Sequence, residues 1–240
     1  MSSTRRLLEM DSRSFERELA RDPIVIVPVG ALEAHGPHLP LGADQIQAEA
    51  TALALAERID ALVAPTIAYG ACPGTRDFPG TISLTLSALG EQAHGVLSEL
   101  ARSGARRLLV LSGHAERGHM AALREAGERV GRDHAGVTVV VLSDYDFVYE
   151  LRGTLAPLSD GHGGLLETSR VLALAPDWVG PERPAVVRGG SAFVPGTPPR
   201  SVWPESVMGD TRAASPELGR KVQAHVLDRL EATARALFSP

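Results

Sequence analysis

The chain of 240 residues contains one cysteine, Cys72, and one lysine, Lys221. A single cysteine excludes an intrachain disulfide and a thiolate cage, so a metal ion would have to be bound through nitrogen and oxygen atoms. The near absence of lysine leaves almost no candidate for a Schiff base. Such sparing use of cysteine is typical of proteins in a reducing cytoplasm, which is where we expect this one.

Long apolar runs and a large excess of charge are also missing. No stretch approaches the roughly 18 apolar residues of a membrane span, and residues 1–21 have no apolar core of signal-peptide length. The net charge of -5 gives no general attraction to nucleic acid or to anionic membranes. We therefore predict a soluble protein that binds neither.

Strand and helix patterns alternate along the chain. Strands are predicted at residues 24–27, 62–65, 81–84, 107–111 and 137–142, and helices at residues 8–20, 43–59, 87–103, 117–132 and 216–237, with another from about residue 165. This order predicts one α/β domain over residues 1–240, built on a mainly parallel sheet with helices on both faces.

The densest group of potential metal ligands follows the first strand. Glu33, His35, His38 and Asp44 lie within twelve residues, in a loop rich in glycine and proline. Open α/β sheets place their ligand sites at the carboxyl ends of strands, where this loop begins. Glu33 and His35 are two residues apart, so their side chains point to the same side if the segment is extended. The alternative is that Asp44 only caps the next helix and the histidines are ordinary polar loop residues.

Two later clusters follow the same rule. His114 and Glu116 come directly after the strand predicted at residues 107–111, and His162 and Glu167 lie at a loop-to-helix junction. Alone, the first pair could be a polar turn and His162 a capping residue. Taken with the first cluster, they indicate five ligands in all: Glu33, His35, Asp44, His114 and Glu116.

Carboxylate and imidazole ligands suit Zn, Mn or Fe(II), and a carboxylate can bridge two ions about 3.5–4 Å apart. Three carboxylates against two divalent ions leave one positive charge for a hydroxide, so we predict two ions. A metal-bound hydroxide could then hydrolyse an unactivated C–N or C–O bond. We assign His162 as the proton carrier for the leaving nitrogen, with Glu167 orienting its ring. Cys72 is expected to line the site, since no base is marked for it.

Five segments of the chain resemble the creatininase (creatinine amidohydrolase) family. They are residues 28–44, 68–84, 112–116, 160–169 and 207–219, in the order in which the family has them. The resemblance implies an α/β amidohydrolase with two metal ions, usually assembled as a hexamer. It also implies that Glu33 and His114 bind one ion, His35 and Glu116 bind the other and Asp44 bridges them. His162 falls on the family's catalytic histidine.

Differences from the family concern the walls of the substrate pocket. Ala115 stands where creatininase has a tyrosine, Leu158 where it has a tryptophan that contacts substrate, and the loop from Cys72 to Thr75 also differs. We therefore expect a small neutral amide, lactam or formamide as substrate, with creatinine disfavoured. The alternatives are a peptide-trimming metallopeptidase and a non-catalytic metal-binding scaffold protein. The complete set of ligands favours an enzyme.

A stretch rich in proline and glycine, residues 176–204, retains Trp178, Phe193 and Trp203. Large aromatic side chains in a segment with little regular pattern favour buried contacts over free solvent. We therefore expect this stretch to contribute to contacts between subunits of a homo-oligomer.

Overall fold

A parallel sheet lies at the centre of the computed structural model, which describes residues 4–186 and 204–238. Within these residues its strands are β1 (Ile24–Val29), β2 (Leu62–Val63), β3 (Arg107–Ser112) and β4 (Thr138–Ser143). Their spatial order is β2-β1-β3-β4, and every neighbouring pair is parallel. A separate antiparallel pair is formed by β5 (Ala185–Val186) and β6 (Gly209–Asp210).

The helices connect these strands and cover the sheet. They are α1 (Ser12–Leu19), α2 (Ala43–Ile59), α3 (Leu86–Arg102), α4 (Arg117–Asp133), α5 (Tyr145–Val148), α6 (Leu165–Leu174) and α7 (Pro216–Leu237). Side chains that accept a backbone N–H cap four of their starts, namely those of Asp11, Thr85, Glu116 and Ser215.

Side chains of β1 alternate between two hydrophobic cores. Ile24 and Ile26 pack in a core with residues of α2, α6 and α7, whereas Val25 and Val27 pack in a second core with residues of α3 and α4. The two cores lie on opposite faces of the sheet, because successive strand residues point to opposite sides. A strand buried on both faces must be apolar throughout, as this one is. The predicted α/β class, with helices on both faces of a parallel sheet, is confirmed.

Differences from the predicted elements are local. Residues 81–84 form no strand and contribute a single bridge from Ile82 to Leu32. The predicted first helix is divided into a 3₁₀ turn (Leu7–Glu9) and α1, since Asp11 caps a new start. Most of the stretch at 176–204, with Phe193 and Trp203, lies outside the described residues, while Trp178 is 64% exposed. No described helix is both long and apolar enough to cross a membrane.

The crossing of α6 and α7 depends on a glycine. A Cβ atom at Gly219 would lie 1.8 Å from the carbonyl oxygen of Ser169, which is a backbone atom that cannot rotate away. The hydroxyl of Ser169 accepts a hydrogen bond from the backbone N–H of Ser215, just before α7 begins. Close contact at this point fixes α7 against the helix that carries Glu167.

We predict that Gly219→Ala destabilises the protein by about 1–3 kcal/mol or more, because the methyl group forces the two helices apart. Gly95→Ala is the matched control, since a Cβ at this exposed position in α3 meets no atom within 4 Å. It should stabilise the protein by about 0.5–1 kcal/mol through helix propensity. Denaturant unfolding of the three proteins provides the comparison, and equal midpoints for both variants would contradict the close-packing argument.

Candidate metal centre and active site

The first two ligand candidates lie in the loop that follows β1. The backbone N–H of Glu33 donates to the carbonyl of Leu41 at 3.0 Å, which closes the loop upon itself. The Nδ1 atom of His35 lies 3.0 Å from the carbonyl oxygen of Glu33 and can only donate to it. This bond fixes the tautomer that leaves the lone pair of Nε2 directed at the cluster.

Asp44 and His114 meet because a glycine lets two elements approach closely. Asp44 lies in the first turn of α2, and a Cβ at Gly113 would be 2.3 Å from its carbonyl oxygen. Gly113 therefore brings the end of β3 against the start of α2. Nε2 of His114 donates to the carbonyl of Ala71 at 3.1 Å, so the lone pair of Nδ1 faces inward. Nδ1 lies 2.8 Å from Oε1 of Glu33 and 3.1 Å from Oδ2 of Asp44.

The described residues form three overlapping groups whose ligand atoms lie within 4.8 Å of one another. One contains Glu33, Cys72 and His114, the second His35, Asp44 and Glu167, and the third Glu33, His35 and His162. In the second group, Nε2 of His35 lies 3.3 Å from Oδ1 of Asp44 and 3.5 Å from Oε1 of Glu167. The two oxygens of Asp44 thus face two different histidines.

The charges of this cluster compensate one another within the protein interior. Burial opposes ionisation, yet the neighbouring histidines, His114 first, hold the pKa of Glu33 well below its ordinary value. The pKa of Glu167 is likewise lowered against burial, chiefly by His35. Conversely, the carboxylates raise the pKa values of His35 and His114 well above the ordinary value, again against burial. The carboxylates therefore require positive charge beside them.

Several of these atoms have no hydrogen bond despite their burial. Oε1 of Glu33, Nε2 of His35 and Oδ2 of Asp44 are buried and form none within the described part of the chain. Buried polar atoms are rarely left without a partner. Atoms that converge at short distances without hydrogen-bond geometry fit a shared cation, and these nitrogen and oxygen donors suit a divalent transition metal.

The structure does not bring Glu116 into any of these groups. Its Oε2 atom accepts the backbone N–H of His119 at 2.8 Å, which makes Glu116 the N-cap of α4. It lies on the wall of the adjoining cavity, but Glu167 occupies the position beside His35 that the sequence assigned to it. The cap hydrogen bond ties one oxygen of Glu116 to the start of its own helix.

Three hydrogen bonds hold Glu167 in this position. Its Oε1 atom accepts the hydroxyl of Tyr145 at 2.5 Å and Nε2 of Gln47 at 3.0 Å. Its Oε2 atom accepts the backbone N–H of Gly163 at 2.7 Å. In addition, Thr75 donates to Oε2 of Glu33 at 2.5 Å. Such outer partners fix the direction of a ligand oxygen.

His162 lies against the cluster. Its ring stacks on that of His35, with 4.3 Å between centroids, and its Nδ1 atom is 3.9 Å from Oε1 of Glu33. Nε2 donates to the carbonyl of Ala34 at 2.8 Å and lies 3.3 Å from the hydroxyl of Ser206. These two contacts supply the orientation that the sequence ascribed to Glu167. Nδ1 is then the atom that faces the cavity.

His38, the remaining histidine of the first loop, is turned away from the cluster. Its Nε2 atom lies 2.8 Å from the hydroxyl of Thr168. Burial, reinforced by the charge of Arg183, lowers the pKa of His38 to about 4, so its imidazole is neutral at pH 7. His38 belongs to none of the described ligand groups.

A cavity of about 280 Å³ opens onto the cluster. Cys72 and Ala115 line it, and burial raises the pKa of the Cys72 thiol. Leu158 does not reach the cavity, since its side chain is 79% exposed. Gly153 in the left-handed conformation and the hydrogen bonds of a tight turn, including that from Gly153 N–H to the Ala156 carbonyl, direct this segment outward.

Sequence reasoning missed the residues that support the site from a distance in the chain. They are Gln47, Thr75, His119, Tyr145, Arg152 and Ser206. Most of them carry no local signal, because Gln47, Thr75, Tyr145 and Ser206 each contact a partner more than twenty residues away in the chain. His119, for example, accepts the backbone N–H of Ala71 and contacts Ser112, and burial lowers its pKa to about 3.

Comparison with known proteins gives a consistent result. Residues 8–234 match the family model Creatininase: Creatinine amidohydrolase. A creatinine amidohydrolase of Pseudomonas putida is 34% identical over 97% of this chain and 96% of its own length. A mycofactocin precursor peptide peptidase of Mycolicibacterium smegmatis is 32% identical over 86% of this chain and 82% of its own.

Solved structures show the same likeness. A structure described as Creatininase Mn superposes with a TM-score of 0.89 at 30% identity, covering 99% of this chain and all of that one. A mutant creatininase of the Zn-Zn type gives a TM-score of 0.86 at 31% identity, over the full length of both chains.

Proposed function

This chain belongs to the creatininase family of amidohydrolases, and on that premise we propose that it hydrolyses a C–N bond of a small amide with two divalent metal ions. One observation carries the proposal: Asp44 directs one oxygen toward His35 and the other toward His114, at 3.3 and 3.1 Å. A buried carboxylate between two histidines, each with its inward nitrogen available, is the arrangement that a bridging ligand requires.

We assign the ligands from the groups around that carboxylate. Glu33 and His114 would hold the first ion, and His35 and Glu167 the second. Glu167 takes the place expected for Glu116. Three carboxylates would then face two divalent ions, so the number of charges is the same as in the set of ligands predicted from the sequence. Zn, Mn and Fe(II) all suit these donors, and the solved relatives described as Mn and Zn-Zn types support the first two.

When bound, the ions would polarise the amide carbonyl and lower the pKa of a coordinated water. The protein contributes the proton path on the other side of the scissile bond. Ala34 and Ser206 hold the ring of His162 so that its Nδ1 atom faces the cavity. From there Nδ1 can accept the proton that the attacking water releases and pass it to the departing nitrogen, which is too basic to leave as an anion.

The substrate is expected to differ from creatinine. Ala115, on the cavity wall, offers no flat surface on which a planar heterocycle would stack. Peptide trimming is the second candidate, favoured by the likeness to the mycofactocin precursor peptide peptidases. A non-catalytic metal-binding scaffold is disfavoured, because the ligand groups and His162 are all in place.

The ligand assignment predicts how metal content responds to substitution. Glu167→Gln should lower the content from two ions per chain to about one, and Asp44→Ala should abolish binding of both. Glu116→Gln is the matched control, since it removes a carboxylate of the same cavity and should retain two ions. Elemental analysis of the purified proteins measures the number of metal ions per chain. Loss of an ion in Glu116→Gln alone would show that Glu116, and not Glu167, is the ligand of the second ion.

The proton-transfer role predicts the behaviour of His162→Ala. Its kcat should fall by roughly 10²–10⁴ while the metal content stays unchanged, because the ring holds the leaving-group proton. A leaving group of low pKa, such as an anilide with an electron-withdrawing substituent, should recover part of this loss. An undiminished kcat would contradict the assignment.

We also propose that the chain assembles as the homohexamer that its family implies, with residues 176–204 contributing contacts. Exposed Trp178 supports this, because a large aromatic side chain 64% exposed in one subunit can be covered by another. Light scattering at micromolar concentration should give about six times the chain mass of 25.4 kDa. A monomer would contradict the proposal.

A further inference from the structure

One cationic side chain lies on the wall of the cavity. Within the described part of the chain, Arg152 is the sole arginine or lysine among the lining residues. Its guanidinium carbon lies 3.6 Å from the centroid of the Tyr149 ring, and Tyr149 lines the cavity too. This stacking holds the flat guanidinium group in one plane at the wall of the cavity.

The nearby acidic groups already have other partners. Glu33, Asp44 and Glu167 contact the histidines of the cluster. Asp160 accepts the backbone N–H groups of Leu165 and Leu166, and the positive charge of Arg152 also acts on its carboxylate. The Nε atom of Arg152 is buried and forms no hydrogen bond within the described residues. A buried donor on a charged group is costly to leave without an acceptor, so the chain itself does not satisfy the guanidinium fully.

The guanidinium also lies beside the proposed proton carrier. A Cβ at Gly161 would be 3.7 Å from the Nη2 atom of Arg152 and 2.8 Å from the methyl carbon of Met208. Gly161, the residue before His162, therefore leaves space next to the end of the guanidinium. A group bound to Arg152 would lie close to the bond whose nitrogen His162 protonates.

Arg152 adds a positive charge to a wall that also carries Glu116, whose Oε2 atom accepts the backbone N–H of His119. A positive charge at this wall favours an anion in the cavity. One planar guanidinium matches one carboxylate, which it can bind through two parallel hydrogen bonds.

We propose that Arg152 forms a subsite for a carboxylate of the substrate, which is an amide or lactam carrying a carboxylate near its scissile C–N bond. This inference rests on the proposed function and narrows it. N-formyl and N-acyl amino acids and lactam carboxylates belong to this class, and it replaces the neutral amide expected from the sequence. Binding the carboxylate at Arg152 would orient the amide between the metal ligands and His162.

Matched pairs of compounds test the subsite. N-formylglycine is compared with N-methylformamide, and 5-oxoproline with 2-pyrrolidinone, within a panel of N-formyl and N-acetyl amino acids. The carboxylate member of a pair should be the better substrate. Arg152→Gln should raise its KM by about 10–100-fold, with kcat changed far less, and the preference for the carboxylate member over the neutral member, as a ratio of kcat/KM values, should fall by about the same factor. Arg152→Lys keeps the positive charge but cannot form two parallel hydrogen bonds. Its KM for the carboxylate compound should therefore lie between that of the unmodified protein and that of Arg152→Gln.

Arg117→Gln is the control for charge alone. Arg117 follows Glu116 in sequence and is exposed, but it does not line the cavity. The Arg117→Gln variant loses the same charge and should leave the KM for the carboxylate compound unchanged. Calorimetry adds a readout that needs no turnover: N-formylglycine should bind metal-loaded His162→Ala, and adding Arg152→Gln to that protein should weaken binding by the same factor.

The outcomes separate the two proposals. Hydrolysis of both members of each pair with no response to Arg152→Gln would overturn the subsite and leave the amidohydrolase intact. Carboxylate binding that depends on Arg152, with no hydrolysis anywhere in the panel, would support the subsite and overturn the proposed reaction. Weaker binding in Arg117→Gln as well would show a general effect of charge and would overturn the subsite.

Discussion

The site depends on the burial of three carboxylates at one edge of a parallel sheet. Glu33, Asp44 and Glu167 are each at most 3% exposed, and the protein interior does not tolerate such charge without compensation. Protonated histidines would supply part of it, as the shifted pKa values show, but a histidine nitrogen that binds an ion carries no proton. Yet atoms of Glu33, His35 and Asp44 still have no hydrogen bond within the described chain. Two divalent ions would satisfy both the charge and the unpaired atoms.

The fold serves this requirement by bringing candidate ligands together from several different elements. The loop after β1 carries Glu33 and His35, the first turn of α2 carries Asp44, and the end of β3 carries His114. Backbone carbonyls set the tautomers of both histidines. The outer partners of Glu167 come from α2 and α5, so the packing of helices on one face of the sheet determines where its carboxylate lies. Stability and ligand geometry are therefore linked.

Much of this could be predicted from the sequence, because the informative signals are local. The apolar run at 24–27 and the helical spacing at 43–59 predicted β1 and α2, and parallel strand ends predicted that Glu33, Asp44 and His114 would meet. The sequence assigned Glu116 as a ligand and Glu167 as the residue that orients His162, whereas the described ligand groups contain Glu167 and not Glu116. Local signals do not separate the two, since both follow a loop and precede or begin a helix. What separates them is that Glu116 closes the first turn of its own helix.

Pocket residues were harder to predict for a related reason. The position of Leu158 depends on the hydrogen bonds of a turn, which the spacing of apolar residues does not predict. The proposed role of Arg152 depends on its stacking on Tyr149 and on its position beside Gly161. Such contacts arise only in three dimensions.

The most direct test of the account is a titration of the metal-free protein with Zn²⁺ or Mn²⁺, following heat of binding and hydrolysis of the best amide together. We predict that binding saturates at two ions per chain and that activity reaches its plateau only at the second equivalent. Saturation of both signals at one ion per chain would contradict the binuclear site.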